Sequence, residues 1–222
     1  MNVILIHDFN KLKRKATDPT NAEPLSFDSA KHKKVYKQEY EITSLRLGYM
    51  NEAVYVANNK GSIEVLSYDL TQVLRTIQCF DKGINSMTLS KRYDLLCVTS
   101  GIFVKVIDPI TFEVVTEIRG EFPVNCAQVS PLIYKQDNPR HHLIMGGGVI
   151  ARDTADTKEG GLEIYIMNII HGTQVTTVSG HYGPINWIEC CPDGSGFVSA
   201  GEESIVRYYR FDKSYFHSEK YE

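Results

Sequence analysis

One feature constrains this chain more than any other: it repeats itself with a period near 40 residues. Four segments open on an apolar residue followed by Asn or Thr and then continue in alternation. They are Ile42-Thr43-Ser44-Leu45, Ile84-Asn85-Ser86-Met87, Val124-Asn125-Cys126-Ala127 and Ile185-Asn186-Trp187-Ile188, with starts 42, 40 and 61 residues apart. A period of that size is one supersecondary unit, too small to bury its own apolar faces, so successive units must stack on each other. The longer third interval predicts an insertion.

Each copy continues in the same order. In the fourth, INWIEC meets the turn Pro192-Asp193-Gly194, FVSAG follows as a second strand, Glu202, Glu203 and Ser204 turn the chain again, and IVRYYRF forms a third strand. Matching third strands begin near Gly61, Ile102 and Gly161, each followed by a fourth such as QVLRTIQ, EVVTEIR or QVTTVSG. Short alternating runs bounded by turn residues predict an all-β architecture. Four consecutive units are expected over about 42–80, 84–119, 124–180 and 185–217. Residues 1–41 are read as the last strand of a preceding unit, MNVILI, standing alone, and a polar loop. The insertion falls in two polar stretches, 135–142 and 151–161. The basic residues Lys11, Lys13, Arg14 and Lys15 read as a solvated loop rather than a nuclear-localisation or phosphate-binding patch.

The formal net charge of −3 supplies no broad basic field for nucleic acid. No apolar run is long enough to span a bilayer, and the amino terminus lacks the layout of a signal peptide, so the expected location is the cytoplasm. Cys79, Cys97, Cys126, Cys190 and Cys191 contain no C-x-x-C pair and read as reduced, mostly buried thiols. Cys190 and Cys191, as strand neighbours, point to opposite faces.

A search for chemistry finds no complete catalytic set. Gly146, Gly147 and Gly148 lack the Lys-Ser or Lys-Thr and the helix of a phosphate loop, and are read as a tight turn between strands. The acid pairs Glu202 with Glu203 and Asp153 with Asp156 lack the apolar surroundings that would raise one pKa, as a glycosidase needs. His141 and His142 have no third ligand at metal spacing and read as surface residues. No catalytic, cofactor or metal residue is expected, and the chain is not expected to be an enzyme. Trp187 is either an exposed interface anchor or a filler between two units.

Gly180-His181-Tyr182-Gly183-Pro184-Ile185-Asn186, followed by Cys191-Pro192-Asp193-Gly194 and Ser199-Ala200-Gly201-Glu202-Glu203, resembles the last blade of a WD-repeat β-propeller. The run GHYGPIN, SAGEES, RYYRF and KSYF, preceded by PVNCAQVSP and GGGVIARDTADT (Gly146, Gly147, Gly148, Asp153, Thr154, Thr157), is similar to the WD-repeat subunit i family of eukaryotic translation initiation factor three. The resemblance covers about residues 42–217 and is specific after about 120. It implies a propeller of which this chain carries about the last four of seven blades. It also assigns Gly180, His181, Ser199, Glu203 and Tyr209 to a structural blade motif in which His181 reaches Ser199 and Glu203. The third strands depart from the repeat's Trp-Asp ends, carrying Leu66-Ser67, Ile107-Asp108, Met167-Asn168 and Tyr209-Arg210.

The function implied is a non-catalytic scaffold that binds other subunits of the factor, the C-terminal tail of subunit b and subunit g, beside the small ribosomal subunit. The partner-binding positions implied are Asp108 and, as a weaker companion, Asp94, since Arg92 stands where an acid is expected. The alternatives are a generic WD-repeat scaffold in signalling or RNA processing and a propeller-fold, glycosidase-like enzyme. Four blades are not expected to close a ring. The faces led by Ile42 and Ile185 are then expected to lie open and to drive self-association of two half-rings or precipitation, unless residues 10–38 cover one of them.

Overall fold

The computed structural model describes residues 2–6, 34–149 and 161–217. Lys11, Lys13, Arg14 and Lys15, and the acid- and Thr-bearing loop with Asp153, Thr154, Asp156 and Thr157, lie outside the described residues. The described chain is almost wholly β. The first four-stranded sheet is β3 (Ile42–Leu47), β4 (Ala53–Asn58), β5 (Ser62–Ser67) and β6 (Val73–Gln78). The second is β7 (Ser86–Leu89), β8 (Leu96–Ser100), β9 (Phe103–Ile107) and β10 (Val114–Arg119). The third is β11 (Val124–Val129), β12 (His142–Gly147), β13 (Ile164–Asn168) and β14 (Gln174–Val178). The last has three strands, β15 (Ile185–Cys190), β16 (Gly196–Gly201) and β17 (Val206–Arg210), followed by a single helical turn, α1 (Lys213–His217). Every sheet is an antiparallel meander in chain order.

The sheets stack by one repeated rule. The face carrying Tyr55, Ala57, Ile63 and Val65 packs on Ile84, Met87, Leu96 and Val98 of the next sheet. Cys97, Val104 and Val106 pack in turn on Val124, Ala127, Leu143 and Met145. Cys126, Ile144, Ile164 and Ile166 pack on Ile185, Ile188 and Phe197. Side chains alternate faces along each strand, so one sheet buries apolar residues forward and backward at once, which is why central strands such as β8 and β12 read as unbroken apolar runs. The first strands β3, β7, β11 and β15 line a common open pocket of ≈ 450 Å³ with Arg46, Thr88, Gln128 and Glu189.

The opening Asn of the repeat works between sheets. Asn85 Nδ2 donates to the carbonyl of Val124 at 2.9 Å, and Asn125 Nδ2 to the carbonyl of Ile185 at 3.0 Å. Each bond ties the start of one copy to the start of the next. At the first junction Ser44 Oγ accepts from the Met87 N–H at 3.1 Å instead.

Several expectations need correction. The segment MNVILI does not stand alone: β1 (Asn2–Ile6) pairs antiparallel with β2 (Lys34–Gln38). The face led by Ile42 is not open, because Val54, Val56 and Leu66 are buried and Tyr36 of β2 packs against them. Gly146 and Gly147 are not in a turn; they end β12. A Cβ on Gly147 would sit 2.0 Å from the Pro123 carbonyl oxygen, and one on Gly146 2.9 Å from Ile188 Cδ1, so both glycines admit a neighbouring backbone or sheet. His142 is not a surface residue: it is 0% exposed, and Arg140 is buried beside it in sequence. The basic and polar look of KQDNPRHH hid a strand that starts at His142.

Candidate functional site

The resemblance-derived motif comes together in the last sheet. Gly180 precedes His181 with φ +150, a backbone conformation that side chains resist. His181 Nε2 lies 2.6 Å from Ser199 Oγ, and its Nδ1 contacts the Glu203 carboxylate. Two glycines make room for that carboxylate, since a Cβ on Gly201 would lie 2.1 Å and one on Gly183 3.0 Å from Glu203 Oε2. Tyr209 stacks on Phe197 with ring centroids 5.0 Å apart, and a Cβ on Gly180 would meet its Oη at 2.7 Å. Partial burial pushes the Glu203 carboxyl up, but the backbone N–H groups of Glu203 and Tyr182 and the His181 ring outweigh it. The net value falls below the usual carboxylate range.

A serine, a histidine and a carboxylate in this order have the connectivity of a nucleophilic triad. The burial decides against that chemistry, because Ser199 is 1% exposed and His181 is buried with it. No substrate carbonyl can approach Ser199 Oγ without unpacking the sheet, so the trio is a buried bracket that fixes the 179–184 connection to β16. Glu203 is held by His181, and its neighbour Glu202 is exposed. The two therefore do not face one cleft as a glycosidase pair would. Among the described residues no group of three or more His, Cys, Asp or Glu side chains is arranged to hold a metal ion. Burial pushes the thiols of Cys97 and Cys126 up to about 12, which keeps them protonated.

Asp94 and Asp108 sit at the same end of the second sheet, Asp94 between β7 and β8 and Asp108 between β9 and β10. Both carboxylates also serve their own turns. Asp108 Oδ1 accepts from the N–H groups of Ile110 at 2.7 Å and Thr111 at 3.1 Å. Asn168 does the same in the third sheet, accepting from Ile170 at 2.9 Å and His171 at 3.1 Å. Asp94 Oδ1 accepts from Ser90 Oγ at 2.7 Å and from the Tyr134 hydroxyl. Burial, and then the Asp94 carboxylate, push the Tyr134 phenol up to about 12.

Around these acids lies a surface that sequence reasoning missed. The end of β3 exposes Leu47, and the connections between first and second strands expose Tyr49, Met50 and Tyr93. Tyr49 and Tyr93 meet edge to face at 6.0 Å, and Arg92 lies 4.6 Å over the Tyr134 ring. Met50 (φ 49) and Tyr93 (φ 61) occupy the left-handed region, which turns bulky side chains outward where glycine would be cheaper. The available signal was the aromatic content of the turns GYMN and KRYD, where polar residues are the rule. Trp187 is partly buried against the apolar cluster between the third and last sheets, with the Arg46 guanidinium 5.1 Å from its ring.

No family model matches the chain. It is 30% identical over 202 residues to "Eukaryotic translation initiation factor 3 subunit I" of Xenopus tropicalis, covering 90% of this chain and 59% of that protein. The protein of the same name from Drosophila pseudoobscura pseudoobscura is 28% identical over 205 residues, covering 90% of this chain and 60% of its own length. That from Culex quinquefasciatus is 30% identical over 179 residues, 79% of this chain and 52% of that protein. The chain thus spans about three-fifths of the length of the first of these relatives. The crystal structure of the computationally designed Ika4 protein superposes with a TM-score of 0.57 at 14% identity, covering 79% of this chain and 94% of that one, a likeness of fold alone. The chain is thus similar over nine-tenths of its length to the initiation factor 3 subunit I proteins, and its fold is a propeller-like stack of antiparallel sheets.

Proposed function

We propose that this chain is a non-catalytic scaffold that holds other subunits of translation initiation factor 3 beside the small ribosomal subunit. The observation that carries the reading is the alignment of nine-tenths of the chain with proteins of that name. The physical picture agrees with it. Rigid sheets cross-tied by Asn85 and Asn125 give a stack that does not deform on binding, and the exposed chemistry lies at turns. Among the described residues the one serine hydrogen-bonded to a histidine, Ser199, is buried in the core.

The partner segments in this reading are the C-terminal tail of subunit b and a segment of subunit g. They meet the neighbouring turn ends of the first two sheets, where Asp94 and Asp108 offer negative charge and Tyr49, Met50 and Tyr93 offer apolar contact. A tail combining basic and aromatic residues matches that chemistry. The cytoplasm is the compartment where such a complex works, and no helix among the described residues is long and apolar enough to cross a membrane.

The test is titration of the purified chain with synthetic peptides from the two proposed segments at low and high salt. Binding that weakens with salt and is lost in a Tyr93→Asp variant supports the site. Binding that ignores both salt and Tyr93→Asp removes it.

A further inference from the structure

The repeat fixes where one ring of side chains points and leaves its chemistry free. Counted from the openings Ile42, Ile84, Val124 and Ile185, the fifth residue of each copy is Arg46, Thr88, Gln128 and Glu189. All four line the open pocket of ≈ 450 Å³ between the first strands. Three of them are committed to ties between neighbouring sheets. Thr88 Oγ1 donates to the Ala127 carbonyl. Gln128 bonds at both ends, its Nε2 donating to Glu189 Oε1 at 2.8 Å and its Oε1 accepting from the Cys190 N–H. Glu189 also accepts from Trp187 Nε1 at 3.4 Å.

Arg46 departs from that rule, although the copy it would tie to, led by Ile84, is present. Its Nη1 donates to the Leu45 carbonyl of its own strand at 2.7 Å, and among the described residues no carboxylate lies within ion-pair distance of it. The side chain is partly buried, with its guanidinium 5.1 Å from the Trp187 ring. Burial lowers its pKa, and the Glu189 carboxylate opposes that shift. A guanidinium taken partly out of water, with most of its five N–H donors unused, presents to the pocket a planar fork that matches a carboxylate.

Lys91 brings a second cation to the same pocket. Its Nζ donates to the Pro192 carbonyl at 2.8 Å, which leaves two N–H donors free for a ligand. Arg46 and Lys91 against Glu189 leave the lining one positive charge in excess, in a chain whose formal net charge is −3. One carboxylate balances that excess. A phosphate dianion overshoots it beside Glu189, and the pocket lacks the spaced cations that a nucleic-acid backbone needs. The rim carries the exposed side chains of Leu47 and Tyr93, apolar surface that suits a peptide.

We propose that this pocket binds an acidic segment of a partner protein, with one Asp or Glu side chain seated between Arg46 and Lys91 and the apolar residue next to it lying on Leu47 and Tyr93. The proposal does not rest on the tail reading, which uses the opposite charge.

Trp187 is the only tryptophan and lies against Arg46, so its emission reports on the pocket. The probe is an end-blocked pentapeptide with one glutamate between a leucine and a phenylalanine, titrated into the full chain beside its glutamine twin. The glutamate peptide should change the emission saturably and bind at least about 10-fold more tightly than the twin, with affinity falling as salt rises. Arg46→Gln should weaken the glutamate peptide by about 10-fold or more, Arg46→Lys by less because it keeps the charge and loses the fork, and Lys91→Gln by about 3-fold. Ile110→Ser, at an exposed position in the β9–β10 turn, should leave the affinity unchanged. Circular dichroism checks that each variant keeps its β spectrum, and Lys91→Gln, at an exposed position, keeps the test open if Arg46→Gln unfolds. No change in emission with either peptide at millimolar concentration overturns the proposal, as do equal affinities of the twins or parent-like binding by a folded Arg46→Gln chain. Tighter binding of a phosphoserine peptide, or of a glutamine peptide with a free carboxyl terminus, overturns the assignment to a side-chain carboxylate.

Discussion

His142 Nδ1 on β12 lies 2.6 Å from the hydroxyl of Tyr215 on α1, and so couples the third sheet to the last turn of the chain. Tyr215 also stacks on Phe211 with ring centroids 4.0 Å apart, and Asn138 Nδ2 donates to the Phe216 carbonyl at 3.1 Å. These contacts make the KSYF segment a clasp that holds the last sheet, three-stranded among the described residues, against the third. Tyr215→Phe keeps the stacking and removes one buried hydrogen bond, so denaturant unfolding should show a loss of about 1 kcal/mol. Tyr215→Ala removes both and should cost about 3–5 kcal/mol. Equal stability of the two variants would mean that the ring does not pack as described.

The His181 bracket gives the chain an acid-side sensitivity. The Glu203 carboxyl sits below its ordinary value of 4.5 in the folded chain. A depressed carboxyl adds stability that is fully present above the unfolded-state value and is lost as pH falls through the folded-state value. Thermal unfolding should therefore drop on acidification below about pH 4.5, and Glu203→Gln should flatten that drop while lowering stability at neutral pH. An identical pH profile in Glu203→Gln would assign the acid sensitivity elsewhere.

Asp108 carries two roles, and two substitutions separate them. Asn168 shows that an asparagine supports the same turn, with the same pair of N–H donors. Asp108→Asn should keep stability within about 0.5 kcal/mol and weaken the tail of subunit b by about 1–2 kcal/mol at low salt. Asp108→Lys should weaken binding further and also loosen the turn. If Asp108→Asn binds as the parent does, Asp108 serves only its turn.

The glycines that end β12 predict a steric result. At Gly147 a Cβ would stand 2.0 Å from the Pro123 carbonyl oxygen and 2.8 Å from the Asn125 nitrogen, both backbone atoms that cannot swing aside. Gly147→Ala should cost more than about 2 kcal/mol, whereas Gly172→Ala meets nothing within 4 Å and should cost only the strain of its φ of +65. Comparison of the two unfolding midpoints checks this.

The strands were legible because their faces alternate. The repeated opening of an apolar residue and then Thr or Asn marked the start of each copy, and Pro192-Asp193-Gly194 marked a turn where Gly194 takes φ +71. What that opening Asn does was not legible, since its amide bonds to a carbonyl 39 or 60 residues away. His142 and Arg140 were misread because a run of polar residues looks like a loop whether or not a helix from the far end of the chain packs over it. The triple glycine was misread for a similar reason, since sequence shows flexibility at Gly146 and Gly147 but not the Ile188 side chain and Pro123 carbonyl that demand it. The aromatic turns stood out in composition, yet only the positive φ of Met50 and Tyr93 shows them turned to solvent.

The most direct test of the scaffold reading is the stoichiometry of what the chain holds in cells. Tagged full chain, purified at low salt and quantified by mass spectrometry, should bring down the other initiation factor 3 subunits in near-equal amounts and co-sediment with small ribosomal subunits. Recovery of the chain with none of those subunits, or only in traces that a salt wash removes equally from parent and Tyr93→Asp, would contradict the account.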